Sequence, residues 1–170
     1  MSFTSMLSGL TKNKIRFVVI GGVAAAVHGS SRVTNDLDIC YDAGDRGNAD
    51  ALARLLAKWR AYPRGVERGL PFIMDEGTLR GAPVMTLTTT EGDLDVMDRV
   101  GGVGDYDAAR KHSEKISALG VTFRVLDLPS LIKAKRAAGR PRDFDHLPEL
   151  EALLELRKRG GGPRAEDQRH

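Results

Sequence analysis

Cysteine is nearly absent from this chain of 170 residues. Cys40 stands alone, so no disulfide can form within it. That excludes a small secreted fold held by bridges and points to a reducing, cytoplasmic compartment. Aromatic side chains are scarce at 5%, too few for a surface that reads bases mainly by stacking. Long hydrophobic runs are missing too. The longest, Phe17 to Val27, is broken by Gly21 and Gly22 and is too short to cross a bilayer, so no membrane association is expected. The start, MSFTSMLSGLTKNK, lacks the basic, apolar and small-residue order of a signal peptide. No repeat recurs at a solenoid period. Neither sign of charge dominates, with 26 Lys and Arg against 23 Asp and Glu. The distribution is uneven, however. LIKAKRAAGRPR, residues 131–142, holds five basic side chains and no acid. Such a stretch suits a phosphate-rich partner, or else a solvated helix face.

What is present fits a globular domain. Apolar residues are 41% and charged residues 29%, and the length suffices to bury a core without bridges. Residues 1–159 read as one domain, and GGGPRAEDQRH, 160–170, as a disordered tail. Residues 3–12 suggest a short helix. IRFVVI, 15–20, is β-branched and reads as a buried strand. Gly21-Gly22 break it before a short helix over 23–29. DLDIC, 36–40, alternates as a half-exposed strand does, and 48–61 shows helical spacing of Ala51, Leu52, Leu55, Leu56 and Trp59. Residues 62–81 suggest loops around a short strand at 71–74. PVMTLTTT and DLDVMDRV flank a tight turn, as do KISAL and VTFRVL, so two hairpins are expected. GGVGD reads as a loop and YDAARKH as a short helix. A helix running to about Ala138, with Ser130 near its start, and a last helix over 143–159 complete the chain. The fold class is α/β or α+β, a mixed sheet with helices.

Residues 20–39, IGGVAAAVHGSSRVTNDLDI, carry the chemistry. In a strand, residues i and i+2 share a face. Asp36 and Asp38 therefore point together, opposite Leu37 and Ile39. Two adjacent carboxylates repel, and a divalent cation such as Mg²⁺ relieves the repulsion while bridging to nucleotide phosphates. The plain alternative is the wet face of an edge strand. In Leu94-Asp95-Val96 a third carboxylate again opposes an apolar pair. If the two strands are neighbours, three carboxylates converge and can hold two metal ions. Asp93 shares the face of Asp95 and is its rival. Its place beside Gly92 in a turn favours Asp95. A strand, a Gly-Gly turn and a helix start leave backbone N–H groups for phosphate, and Gly21 and Gly22 let it approach closely. Ser30, Ser31, Arg32 and Thr34 add donors before the acidic strand. His28 lacks a second ligand at metal spacing and reads as a packed or capping residue. Cys40 reads as a small filler.

The order strand, Gly-Gly, helix, Asp-x-Asp strand and later aspartate resembles the nucleotidyltransferase superfamily, the fold shared with DNA polymerase beta and kanamycin nucleotidyltransferase. Ile20-Gly21-Gly22, thirteen intervening residues and Asp36-Leu37-Asp38 carry the resemblance. GGVAAAVHGSSRVTNDLDI and LIKAKRAAGRPRDFDHL look like the small bacterial branch that includes AbiEii-type and MenT-type toxins. The likeness spans roughly residues 15–150. It implies Gly21 and Gly22 at the phosphates, with Asp36, Asp38 and Asp95 as ligands of Mg²⁺ or Mn²⁺. It also implies Asp95 as general base, Lys135 as a triphosphate contact, and Arg140 and Asp143 as the frame of the pocket. The bland reading of Lys135 is an exposed helix lysine. Family members carry Gly-Ser where this chain has Gly-Gly, so one side-chain donor is missing unless Ser30 or Ser31 replaces it.

The expected activity is transfer of a nucleoside monophosphate from an NTP to an acceptor hydroxyl, with release of pyrophosphate. RNA, in particular a tRNA 3′ end, is the favoured acceptor, given the basic run and the toxin-branch likeness. A cognate antitoxin would then be a partner. The alternatives are a small-molecule transferase with an aminoglycoside-like acceptor and a non-catalytic nucleotide- or partner-binding relative. A glycosyltransferase or phosphatase Asp-x-Asp leaves the glycine turn unexplained.

Overall fold

A computed structural model describes residues 3–160. The tail expected at 160–170 lies, from residue 161 on, outside the described residues. The apolar run at 17–20 forms β1 (Phe17–Ile20), and all four of its side chains are buried. Further strands are β2 (Asp36–Tyr41), β3 (Tyr62–Pro63), β4 (Val84–Thr89), β5 (Gly92–Met97), β6 (Arg99–Val100), β7 (Gly104–Asp105), β8 (Ser113–Ala118) and β9 (Val121–Leu126). Seven of them make one mixed sheet in the order β3-β4-β5-β2-β1-β9-β8, while β6 and β7 pair separately. Both expected hairpins form, as β4–β5 and β8–β9. The expected loop at 101–105 contributes β7 instead.

The helices are α1 (Phe3–Lys12), α2 (Gly21–Val27), α3 (Arg46–Lys58), α4 (Glu76–Arg80), α5 (Tyr106–Lys111), α6 (Leu128–Ala138) and α7 (Pro141–Gly160). Their ends follow the caps. Asp45 accepts from the Asn48 backbone N–H, which starts α3 at Arg46 rather than at Asn48. Asp127 caps α6 through the Ser130 N–H at 2.8 Å, and Gly139, at φ +67°, stops it in the left-handed region. The two glycines expected to precede α2 are its first two residues.

No strand forms at 71–74. Phe72 instead packs its ring edge-on against Tyr62 at 5.7 Å. The short strand of this region is β3, and Asp75 caps the unexpected α4 through the Thr78 N–H. The notion of an edge strand for 36–40 also fails, because β2 lies inside the sheet between β1 and β5.

Alternation then sorts the central strands. Leu37, Ile39, Leu94 and Val96 are buried in the core, so the residues between them emerge on the opposite face. β2 and β5 run parallel, with Asp36 opposite Asp93 and Asp38 opposite Asp95. Four aspartates thus form a two-by-two patch on one face of the sheet.

Candidate active site

The patch floors a cleft of about 870 Å³. Ligand oxygens of Asp36, Asp38 and Asp95 all lie within 4.8 Å of one another. Asp93 lies beside them, tied to Thr88 on β4 at 3.3 Å. The repulsion shows in the protonation of Asp38. Burial first, then Asp36 and Asp95, push its carboxyl up to about 8, with the Gly22 backbone N–H pulling the other way. Burial also raises Asp95, against the hydrogen bond from Arg64. Hard oxygen donors this close suit a divalent cation, which would replace the proton and relieve the repulsion.

Gly21 and Gly22 bring the start of α2 onto these carboxylates. Gly21 has φ +66°, and a Cβ there would overlap the Asp38 carboxylate. A Cβ on Gly22 would stand 2.6 Å from Thr34 Oγ1. The glycines therefore serve close packing of backbone on the acidic strand, beyond any service to a ligand. Thr34 also reaches the Asp36 carbonyl at 3.2 Å, which holds the entry into β2.

No protein-family model matches the chain, and no curated protein matches it in sequence. Solved structures do match. A candidate nucleotidyltransferase from Thermotoga maritima superposes with a TM-score of 0.53 at 19% identity, over 88% of this chain and 94% of that one. An antigenic nucleotidyltransferase-like protein from Paracoccidioides brasiliensis superposes equally, at 0.53 and 17% identity, over 90% of this chain and 73% of that one. The chain has the nucleotidyltransferase fold.

On this fold the opposite wall of the cleft is cationic. α6 presents Lys135, and Arg140 follows between α6 and α7. Both are held by Asp143, whose side chain is only 1% exposed. Its Oδ2 accepts from Arg140 Nε at 2.7 Å and its Oδ1 lies 3.3 Å from Lys135 Nζ. Burial would raise the Asp143 carboxyl, but the Arg140 hydrogen bonds and the Lys135 charge prevail and lower it. Asp143 is thus the buried anchor of two basic side chains. Arg32 and Arg142 are exposed at the same cleft and touch through Arg32 Nη1 and the Arg142 carbonyl at 3.3 Å.

Ser30 and Ser31 stand elsewhere. Their hydroxyls bond to Glu149 of α7, Ser31 Oγ at 2.8 Å, and neither residue lines the cleft. Glu149 is held down to about 2 by these bonds. The two serines dock α7 on the loop before β2, so the donor missing from the Gly-Gly turn is not restored by them here. His28 is a buried packing residue: its Nε2 donates to the Leu126 carbonyl at 2.7 Å, and its Nδ1 accepts from Arg157. Cys40 is wholly buried, and burial pushes its thiol up to about 12.

Sequence reasoning missed Arg64. It follows β3 and reaches over the aspartate patch to Asp95 at 2.7 Å, with Asp93 at 3.5 Å and Asp36 at 3.7 Å. No spacing in YPRGVERG marks it, because strand order alone sets β3 one strand away from β5, across β4. His146 and Glu149 were missed for the same reason. They meet the loop at Ser30 only through the packing of α7.

Proposed function

We propose that this protein is a divalent-metal-dependent nucleotidyltransferase that moves a nucleoside monophosphate from an NTP to an acceptor hydroxyl. The convergence of Asp36, Asp38 and Asp95 from two parallel strands, facing a wall that carries Lys135 and Arg140, is the observation that supports it. Asp36, Asp38 and Asp95 would hold Mg²⁺ or Mn²⁺, which supplies charge neutralisation at the phosphates. Lys135 and Arg140 bind and orient the triphosphate. Gly21 and Gly22, at the phosphates in the family resemblance, here press the start of α2 onto Asp38 and Thr34, with the Gly22 N–H turned to the Asp38 carboxylate. Asp95 takes the proton of the acceptor hydroxyl as its oxygen bonds to the α-phosphorus. The bond from that phosphorus to the bridging oxygen breaks, and pyrophosphate leaves with the electron pair.

RNA is the acceptor this reading favours, with a tRNA 3′ end first among RNAs. Arg32 and Arg142, exposed at the cleft beside Lys135, support a phosphate-rich acceptor strand. The roles of toxin and of an antitoxin partner rest on the resemblance of the two sequence motifs. The test is transfer of label from an α-labelled NTP onto total tRNA in Mg²⁺. Labelling is expected with the native protein and lost in Asp36→Ala. No labelling of any RNA with any of the common NTPs defeats the RNA reading. Metal-independent NTP binding without turnover would point to a non-catalytic binding protein.

A further inference from the structure

The guanidinium of Arg64 occupies a peculiar position. It pairs with Asp95, Asp93 and Asp36, two of which belong to the proposed metal-ligand set. Its Nη2 also donates to the Leu87 carbonyl at 2.8 Å, and its backbone N–H to the Thr86 carbonyl at 2.9 Å. Its buried Nε makes no hydrogen bond, and its nearest acidic oxygen is Asp93 Oδ2 at 3.5 Å. A guanidinium stays charged at every working pH and offers five N–H donors. Here one positive charge pairs with three of the four aspartates, and both side-chain hydrogen bonds come from Nη2, while Nε and Nη1 stand 3.5 and 3.7 Å from Asp93 and Asp36. The arrangement neutralises the acidic face only in part and leaves the cation under-bonded.

We propose that Arg64 is the resident counter-cation of the aspartate patch, which a divalent ion displaces from Asp95 and which then takes the phosphates of the nucleotide. A carboxylate oxygen engaged by a guanidinium at 2.7 Å cannot also take a metal along the same lone pair. Entry of the ion therefore costs the Arg64–Asp95 pair. A phosphate group repays it with oxygens matched to the guanidinium fork. Metal and nucleotide then bind more tightly together than either alone, because the arginine released by the first becomes a ligand of the second. Arg64 acts on the metal through Asp95 and is in that respect a positioning residue. The nucleotide half of the proposal rests on the transferase reading; the competition with metal does not.

The test is Mn²⁺ binding to the full chain, followed by the electron paramagnetic resonance of free Mn²⁺, for the native protein and Arg64→Gln. Each is measured with and without a non-hydrolysable NTP analogue. The Gln variant is expected to bind Mn²⁺ alone on the order of tenfold more tightly, and to lose most of the enhancement that the analogue gives. Unchanged or weaker Mn²⁺ binding by a folded variant overturns the proposal, since an arginine that merely fastens the 64–75 loop gives that result. Should Arg64→Gln fail to fold, the native protein still decides. The Arg64 Nε–H nuclear magnetic resonance signal is expected to move as Mg²⁺ is added, and a signal that stays fixed while Mg²⁺ binds overturns the proposal. Tighter Mn²⁺ binding in the variant without any NTP-derived labelling would uphold the counter-cation and sink the transferase. Labelling with no effect of Arg64 on Mn²⁺ would do the reverse.

Discussion

Asp38 on β2 and Asp95 on β5 are register partners across two parallel strands. Their separation is therefore set by the sheet ladder rather than by loops, and both sit inside the sheet, away from its edges. Close like charges on a rigid frame make the site's behaviour readable in pH, metal and mutation.

Metal affinity will depend on pH through Asp38. Its carboxyl is raised to about 8, so below that value a proton must leave before the ion can bind. Affinity for Mg²⁺ is expected to rise by about tenfold per pH unit and to level off above the Asp38 value. Titration calorimetry in two buffers of different ionisation enthalpy measures the released proton. Affinity independent of pH in this range would refute the shared-burial account.

Gly21→Ala tests the close approach of α2 to β2. The added Cβ overlaps the Asp38 carboxylate, and the residue sits at φ +66°. The backbone strain alone costs about 1–3 kcal/mol. Urea unfolding should show that loss, and Mn²⁺ binding should weaken with it, because Asp38 must shift.

Asp143→Ala tests the anchor under the cationic wall. The change leaves Lys135 and Arg140 without their shared partner. Stability should fall by about 1–3 kcal/mol, since Arg140 still reaches solvent. Binding of an NTP analogue should weaken as well, although the wall becomes more positive. Tighter binding would mean that charge alone, without placement, governs the phosphate subsite.

Glu149 should leave a mark on acid stability. Its carboxyl is held near 2, against an ordinary 4.5, by Ser30 and Ser31. A depressed carboxyl stabilises the fold above its unfolded value, and that contribution disappears as pH falls from 4.5 toward 2. Thermal melts across this range should show the slope, and Glu149→Gln should reduce it.

The sequence foretold what its local patterns govern. The run at 17–20 is buried because it is apolar throughout, and the period-2 alternation of Asp36-Leu37-Asp38 places both acids on one face. Asp95 lies in the tight cluster with Asp36 and Asp38, but the turn expected at Asp93 is part of β5, where Asp93 stands in register with Asp36. The residues that escaped notice depend on strand order and helix docking. Arg64 meets the patch only because β4 lies between β3 and β5, and Ser30 faces Glu149 only because α7 folds back on the loop before β2. The strand expected at 71–74 does not form, and Phe72 packs against the Tyr62 ring instead.

The fastening of α7 to residues 30 and 31 has a consequence for synthesis of the chain. A nascent polypeptide that has not yet exposed Asp143 and Glu149 to solvent owns the acidic strands but neither the buttress of Lys135 nor the clasp of the serine loop. Its cleft lacks these two supports until α7 emerges from the ribosome.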